Sequence, residues 1–247
     1  MAVAELIDVD SGAAPVSAKR FYRPELDVLR LVAFSLVFMA HLLPRTTGAY
    51  QGHLPNTWAR VAVAAVDAAN FGLPLFFFLS AFLITELLFR EQDKSGTVSI
   101  KDFAIRRTLR IWPLYLVGLG IGTAYLLLMK SHGGEPGSAL MLVMYTVMLG
   151  NWYFAAGGRQ WPSNPVTPLW SISVEEQFYA IWPVLIKIGG RGSAIIASLC
   201  MLAVAVGVEG YLGAKGADPD VVVWTNTFVQ FEFFACGVIF PRKSGRG

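Results

Sequence analysis

The chain has 247 residues, 55% of them hydrophobic and 15% charged, with a net charge of +3 and a mean hydropathy of +0.53. A soluble domain carries roughly 25% charge, and one this apolar would expose aggregation-prone patches, so lipid is expected to solvate most of the surface. The basic residues cluster at 19–23, 101–110 and 242–246, beside apolar runs, which excludes the basic face of a nucleic-acid binder and reads as membrane-flanking charge.

The first 20 residues hold Glu5, Asp8 and Asp10 without a long apolar core. They read as a disordered cytoplasmic tail and not as a cleaved signal peptide. A membrane domain is expected over 21–241, followed by a basic tail, 242–247. About seven runs approach the 20 apolar residues that a spanning helix needs: 26–44, 61–89, 111–130, 138–154, 170–188, 193–212 and 221–240. The fold class is therefore all-α, a polytopic transmembrane helical bundle. Gly72 and Pro74 are placed to divide the second run into a lead-in and a span. SHGGEPGS after Lys130 and AAGGRQWPSNPVTP at 155–168 are turn and loop sequences. Ser173-Val-Glu-Glu176 has the pattern of a capping box, so a helix is expected to begin near Ser173.

Lys19, Arg20 and Arg23 ahead of the first helix place the amino terminus in the cytoplasm, and Arg90 to Arg110 return there after two spans. Simple alternation from residue 130 would then put Lys187, Arg191 and the final Arg242, Lys243 and Arg246 outside, against the same rule. One segment between 138 and 188 is therefore expected to be re-entrant, or one boundary to be displaced.

Ionisable residues inside membrane helices are functional candidates by default, because each costs several kcal/mol unless it faces protein or water. The first helix holds Asp27, Arg30 and His41. Eleven residues separate Arg30 from His41, which returns the helix to within about 20° and places the two on one face, about 16 Å apart. Asp27 lies one turn before Arg30 and can pair with it. Arg30 is set to meet an anion near the cytoplasmic end; taken alone it reads equally well as an interfacial arginine. His41, near the other end, can take a proton from an attacking hydroxyl; the plainer reading is an interfacial histidine. Arg106, Arg107 and Arg110 run into Ile111-Trp-Pro-Leu-Tyr115. Arg107 and Arg110 share a face and can clamp phosphates, although an orientation-setting anchor explains them too.

The stretch Pro168-Leu-Trp-Ser-Ile-Ser-Val-Glu-Glu-Gln-Phe-Tyr179 carries two adjacent carboxylates. The capping box accounts for Glu176. Glu175 has no such local duty and shares a face with Tyr179; a buried carboxylate near a histidine could orient it. Ser80 reads as polar glue between helices, and Asp67 and Asn70 as facing an outer cavity. His53 and His132 fall in loops. Gly150 to Phe154 has the pattern of an interfacial aromatic belt. Cys200 and Cys236 read as small core residues, without disulfide or zinc spacing, and no metal is expected. No GxSxG elbow is present.

Together these motifs resemble the membrane-bound acyltransferase 3 family. Arg30 to His41 is similar to that family's arginine, ten residues, histidine pattern, and Arg23 to Arg30 to its opening stretch. Phe76 to Ile84 is similar to its FFxLSGFLI segment, with Ala81 in place of glycine. Arg106 to Tyr115 resembles RRxxRIxPxY, and Pro168 to Pro183 resembles PLWSLSVEEQFYxxWP. The resemblance covers 21–188 firmly and 220–241 loosely.

It implies a multi-pass enzyme of the bacterial inner (cytoplasmic) membrane, with no permanently bound cofactor. Its co-substrate would be acyl-coenzyme A, with acetyl expected, and its acceptor a hydroxyl of a cell-surface or exported glycan. His41 is the implied base, with Glu175 and Glu176 beside it as catalytic candidates. Arg30, Arg106, Arg107, Arg110, Asp27, Tyr115, Ser80 and Tyr179 form the candidate substrate and acyl-coenzyme A set. Against about ten helices in the family, a form shortened at its carboxyl end and lacking a following esterase-like domain is expected. The alternatives are a transporter or channel lined by the intramembrane Arg, His and Glu residues, which lacks the support of an inverted repeat, and an inactive truncated member.

Overall fold

A computed structural model describes residues 23–131, 139–156 and 165–239. Every regular element among them is helical: α1 Pro24–Leu42, α2 Asn56–Ala68, α3 Gly72–Ser95, α4 Ile100–Ser131, α5 Ala139–Thr146, α6 Gly150–Ala155, α7 Trp170–Ala214 and α8 Thr227–Ile239. The expected tails 1–20 and 242–247, His132 and most of the 155–168 loop lie outside the described residues.

Three apolar helical runs are long enough to cross a membrane, Asn56–Ser95, Ile100–Leu128 and Thr167–Ala214. α1 adds a 19-residue helix with Glu25, Asp27 and Arg30 in its first two turns. Many large apolar side chains are exposed, among them Leu31, Phe34, Leu114, Ile121, Ile188 and Ile196, as lipid contact requires.

The expected runs are corrected at two places. The 138–154 run is no span. It breaks into α5 and α6 around Met148, whose φ of 57° ends the first helix. The two runs 170–188 and 193–212 are two helices, as expected, joined without a loop at Gly190 (φ 56, ψ −138), where Ser193 Oγ donates back to the Leu185 carbonyl at 2.6 Å. The last run becomes helical only at Thr227, after a π-helical turn over Pro219–Val223, and is described as far as Ile239.

The first of these corrections bears on the expected conflict at Lys187 and Arg191; Arg242, Lys243 and Arg246 lie outside the described residues. Because α5 and α6 do not cross, α7 runs antiparallel to α4. Gly122 touches Val166 and Gly118 approaches Leu169, Trp112 meets Glu176, and Arg107 lies over Tyr179. α7 then descends along α3. Trp182 Nε1 donates to Thr85 Oγ1 at 2.8 Å, Gln92 to the Ile186 carbonyl at 3.2 Å, and Arg191 makes two 2.9 Å bonds to Asp93. Arg191 thus lies at the same end as the final turns of α3.

The core is an aromatic stack through three helices. Phe77 of α3 packs on Phe234 of α8 (4.8 Å), Phe234 on Phe178 of α7 (4.5 Å), and Phe178 on Trp182 (5.1 Å). Small residues let the backbones approach. A Cβ on Gly72 would lie 2.8 Å from the Ala33 carbonyl and from the Val37 nitrogen of α1, and a Cβ on Gly237 would collide with the Phe78 carbonyl. Ala81, at the position where the family pattern has glycine, is buried at that α3–α8 contact. Cys200 and Cys236 are exposed on the outer helix faces and not in the core, because neither points into the α3–α7–α8 seam.

Gly237→Val is expected to destabilise by ~1–3 kcal/mol through overpacking, read as a lowered Tm in detergent. Gly207→Ala, which enters open space, is expected to leave the Tm unchanged or raise it.

Candidate active site

The first turns of α4, the middle of α3 and the first turns of α7 meet at one level. Ser80 donates a 2.9 Å hydrogen bond to Glu175 Oε1. The buried Tyr179 lies one turn beyond Glu175, as expected, and interacts with both Ser80 and Glu175. The half-buried Arg107 sits between two rings, 5.5 Å from the centroid of Tyr179 and 5.7 Å from that of Phe103. It feels Glu175 as an opposite charge, and Arg110 and Arg30 as like charges. Arg30 of α1 is near enough to Arg107 to repel its charge, and its Nη1 lies 3.5 Å from Asp27 Oδ1, the pairing expected from their spacing.

The three arginines of α4 do different things. Arg106 turns away to Glu91, 3.4 Å distant, so it is not part of the clamp expected of it. Arg107 is held by the two rings. Arg110 is exposed and joins Arg107 on one face. Tyr115 is buried, and its hydroxyl donates 2.6 Å to the Tyr145 carbonyl. It braces α5 against α4 and does not line an open site.

The capping box is not formed. Helix α7 begins at Trp170, because the Thr167–Leu169 turn with its leading proline starts the winding earlier than Ser173. Ser173 Oγ instead accepts from the Gly150 nitrogen at 3.2 Å. Glu176 Oε2 accepts from the Trp112 indole at 3.2 Å, while its Oε1 is buried without a hydrogen-bond partner. Both carboxylates therefore have tertiary duties.

His41 lies at the other end of α1. Its Nδ1 is 2.7 Å from the Val37 carbonyl. A carbonyl oxygen only accepts, so Nδ1 is the donor, and the tautomer this contact selects has its lone pair at Nε2. Glu175 forms no contact with His41: the histidine is oriented by its own helix and the carboxylate by Ser80. The sequence carried no signal separating the two, because both belong to motifs of one family.

Other polar residues escaped sequence reasoning. Gln177 donates to Asn151 Oδ1 (2.9 Å), Asn151 donates to Thr227 Oγ1 (2.8 Å), and Thr227 donates to Gln177 Oε1 (2.7 Å). This closed ring joins α6, α7 and α8. Asn151, Tyr153 and Phe154 are buried, so Gly150 to Phe154 is interior packing and not an interfacial belt. Asn70 accepts from Arg45 at 2.7 Å, and His53 is an exposed loop residue as expected. Among the described residues no group of three or more His, Cys, Asp or Glu could hold a metal ion.

The family model of the acyltransferase domain, acyltransferase 3, matches residues 23–244. The chain belongs to this acyltransferase family. It is 32% identical over 173 residues to a putative O-acetyltransferase of Staphylococcus aureus (strain MSSA476), covering 68% of this chain and 25% of that one. To the peptidoglycan O-acetyltransferase OatA of Listeria monocytogenes it is 30% identical over 253 aligned residues, 91% of this chain and 36% of that one. To the putative peptidoglycan O-acetyltransferase YrhL of Bacillus subtilis it is 28% identical over 239 residues, 90% and 34%. The chain thus spans about a quarter to a third of the length of the curated relatives it matches. No solved structure matches it.

In this acyltransferase domain the family's motifs fall into two groups in space. The Phe-rich, RRxxRIxPxY and EEQFY segments converge on Ser80, Arg107, Glu175 and Tyr179, with Arg30 near enough to interact with Arg107, and His41 stands apart. Breaking the polar ring by Asn151→Ala or Thr227→Val is expected to cost ~1–3 kcal/mol for the partner left unsatisfied. Thermal unfolding in detergent is expected to show the double variant costing less than the sum of the single variants.

Proposed function

We propose that this domain transfers an acetyl group from acetyl-coenzyme A, entering from the cytoplasm, to a glycan hydroxyl on the other side of a bacterial cytoplasmic membrane. The observation that carries the reading is the division of α1. Arg30 lies near enough to the half-buried Arg107 for the two guanidinium charges to interact, while His41, about 16 Å further along the axis, has its Nδ1 fixed and its Nε2 free. One end is suited to polyanionic phosphates and the other to a proton acceptor. The distance between them suits an extended donor whose reactive thioester lies far from its phosphates.

In this reading Arg30, Arg107 and Arg110 bind the phosphates of the donor. Glu175, held by Ser80, keeps Arg107 in place, and Glu175, Ser80 and Tyr179 are positioning residues. Asp27 holds Arg30. His41 Nε2 takes the proton of the acceptor hydroxyl as its oxygen attacks the thioester carbonyl carbon. The tetrahedral intermediate collapses by breaking the carbon–sulfur bond, and the imidazolium returns the proton to the departing thiolate. The acceptor leaves as an ester and coenzyme A as a thiol. The amino terminus lies in the cytoplasm, which places Arg191 there as well, beside Asp93.

His41→Ala is expected to lower acetyl transfer at least about 100-fold, the low end for loss of a general base, with unchanged amounts of protein in the membrane. Transfer at the unaltered rate would overturn the role of His41. Arg107→Ala is expected to weaken acetyl-coenzyme A binding about tenfold or more, while Arg106→Ala, already committed to Glu91, is expected to leave it within about twofold. Calorimetric titration of the purified protein measures both. Absence of binding by the unaltered chain would favour an inactive scaffold.

A further inference from the structure

Beyond His41 the chain leaves α1 through Leu43 and Pro44 and places a guanidinium immediately past the helix end. Arg45 Nη2 donates both to the Ala40 carbonyl (3.2 Å) and to Asn70 Oδ1 (2.7 Å). The segment that carries it is tied down in turn, because the Tyr50 hydroxyl donates 2.9 Å to the Pro44 carbonyl. Two contacts from Nη2 use both of its hydrogens. Nε–H and the two hydrogens of Nη1 remain.

Closing the end of α1 explains the bond to Ala40, but not the recruitment of Asn70 from the turn between α2 and α3. A neutral amide oxygen fixes the direction of a guanidinium without cancelling its charge. Arg45 forms no ion pair among the described residues, and Asp67, three residues before Asn70, is not within salt-bridge distance of it. Residues 41–66 contain Arg45, Arg60, His41 and His53 and no Asp or Glu, Asp67 being the first carboxylate along the chain after the helix end. An exposed, pre-oriented cation with donors to spare is arranged for an external anion, since the rotamer entropy of binding is already spent.

Its place along α1 says which anion. Arg30, His41 and Arg45 follow in that order, so Arg45 lies on the side of His41 away from the donor phosphates. We propose that Arg45, positioned by Asn70, binds a carboxylate carried by the acyl acceptor and so selects an acidic glycan. This deepens the proposed function and rests on it. The other source of such an anion is a lipid phosphate at the same depth.

The test compares binding of two disaccharides that differ by one carboxylate, glucosyl-N-acetylglucosamine and glucuronosyl-N-acetylglucosamine, followed by saturation-transfer NMR on the full chain. It is run in maltoside micelles, which hold no phosphate, and in phosphatidylglycerol nanodiscs. The unaltered protein is expected to bind the glucuronate about tenfold more tightly in both media. Arg45→Gln is expected to abolish the preference while still binding acetyl-coenzyme A, which reports that the fold is intact. Asn70→Ala, which keeps the cation but loosens it, is expected to reduce the preference, and Arg45→Lys to keep part of it. His41→Ala is expected to retain the preference, so a failed transfer reaction and a failed anion site give different results. Equal binding of the two sugars by the unaltered protein overturns the proposal. So does a preference that survives Arg45→Gln, or an Arg45→Gln effect confined to retention of phosphatidylglycerol.

Discussion

The hydrogen bond from Ser80 to Glu175, with Arg107 beside it, is the contact on which the arrangement of the chain depends. A buried carboxylate left without a partner costs several kcal/mol, which Ser80 prevents for Glu175, while the half-buried Arg107 is held by two ring faces. Satisfying both requires α3, α4 and α7 to stand at one relative height. Once they do, the aromatic stack of Phe77, Phe234, Phe178 and Trp182 closes below, and Trp112 reaches Glu176 above. Arg107 adds two ring faces to its neighbours, a favourable setting for a poorly hydrated cation.

The same demand for internal satisfaction explains the short helices. Non-helical backbone at membrane depth is tolerated where protein covers it. The break at Met148 is covered: Gln177 donates to the Met148 carbonyl, Ser173 takes the Gly150 N–H, and the Asn151–Thr227–Gln177 ring closes over the rest. At the opposite end, the left-handed φ of Gly190 turns the chain where Arg191 can grip Asp93. Gln92 lies where a side chain on Gly190 would stand, so the turn and the ion pair are set together.

α1 is the least buried of these helices, with only Ala33 and Ala40 buried, and it is the one to which the proposed reading assigns the proton acceptor. It is held by close approach at Gly72 and presents Arg30, His41 and Arg45 at successive heights. The fixing of His41 by its own Val37 carbonyl makes the imidazole independent of the Glu175 cluster. A base set by its own helix and a charge cluster set by three others can be perturbed separately, which is how the roles proposed for them can be told apart.

Composition and period settled much of this. An excess of apolar residues forces helices, because only a helix pairs its backbone within one segment in lipid. The period of 3.6 put Asp27 beside Arg30 and Glu175 beside Tyr179, since neighbours three and four apart share a face whatever surrounds them. The family, too, was legible in motifs that are contiguous in the chain. What sequence could not supply was anything depending on the relative height of two helices. Whether Glu175 meets His41 or Ser80, whether Arg106 or Arg107 joins the cluster, and whether 138–154 crosses or turns back are decided by packing at Gly72, Gly237 and Met148. Hydropathy sums over residues and carries no information about which partner satisfies each polar group. That assignment is a property of the assembled bundle, where each buried donor must find an acceptor at one particular depth.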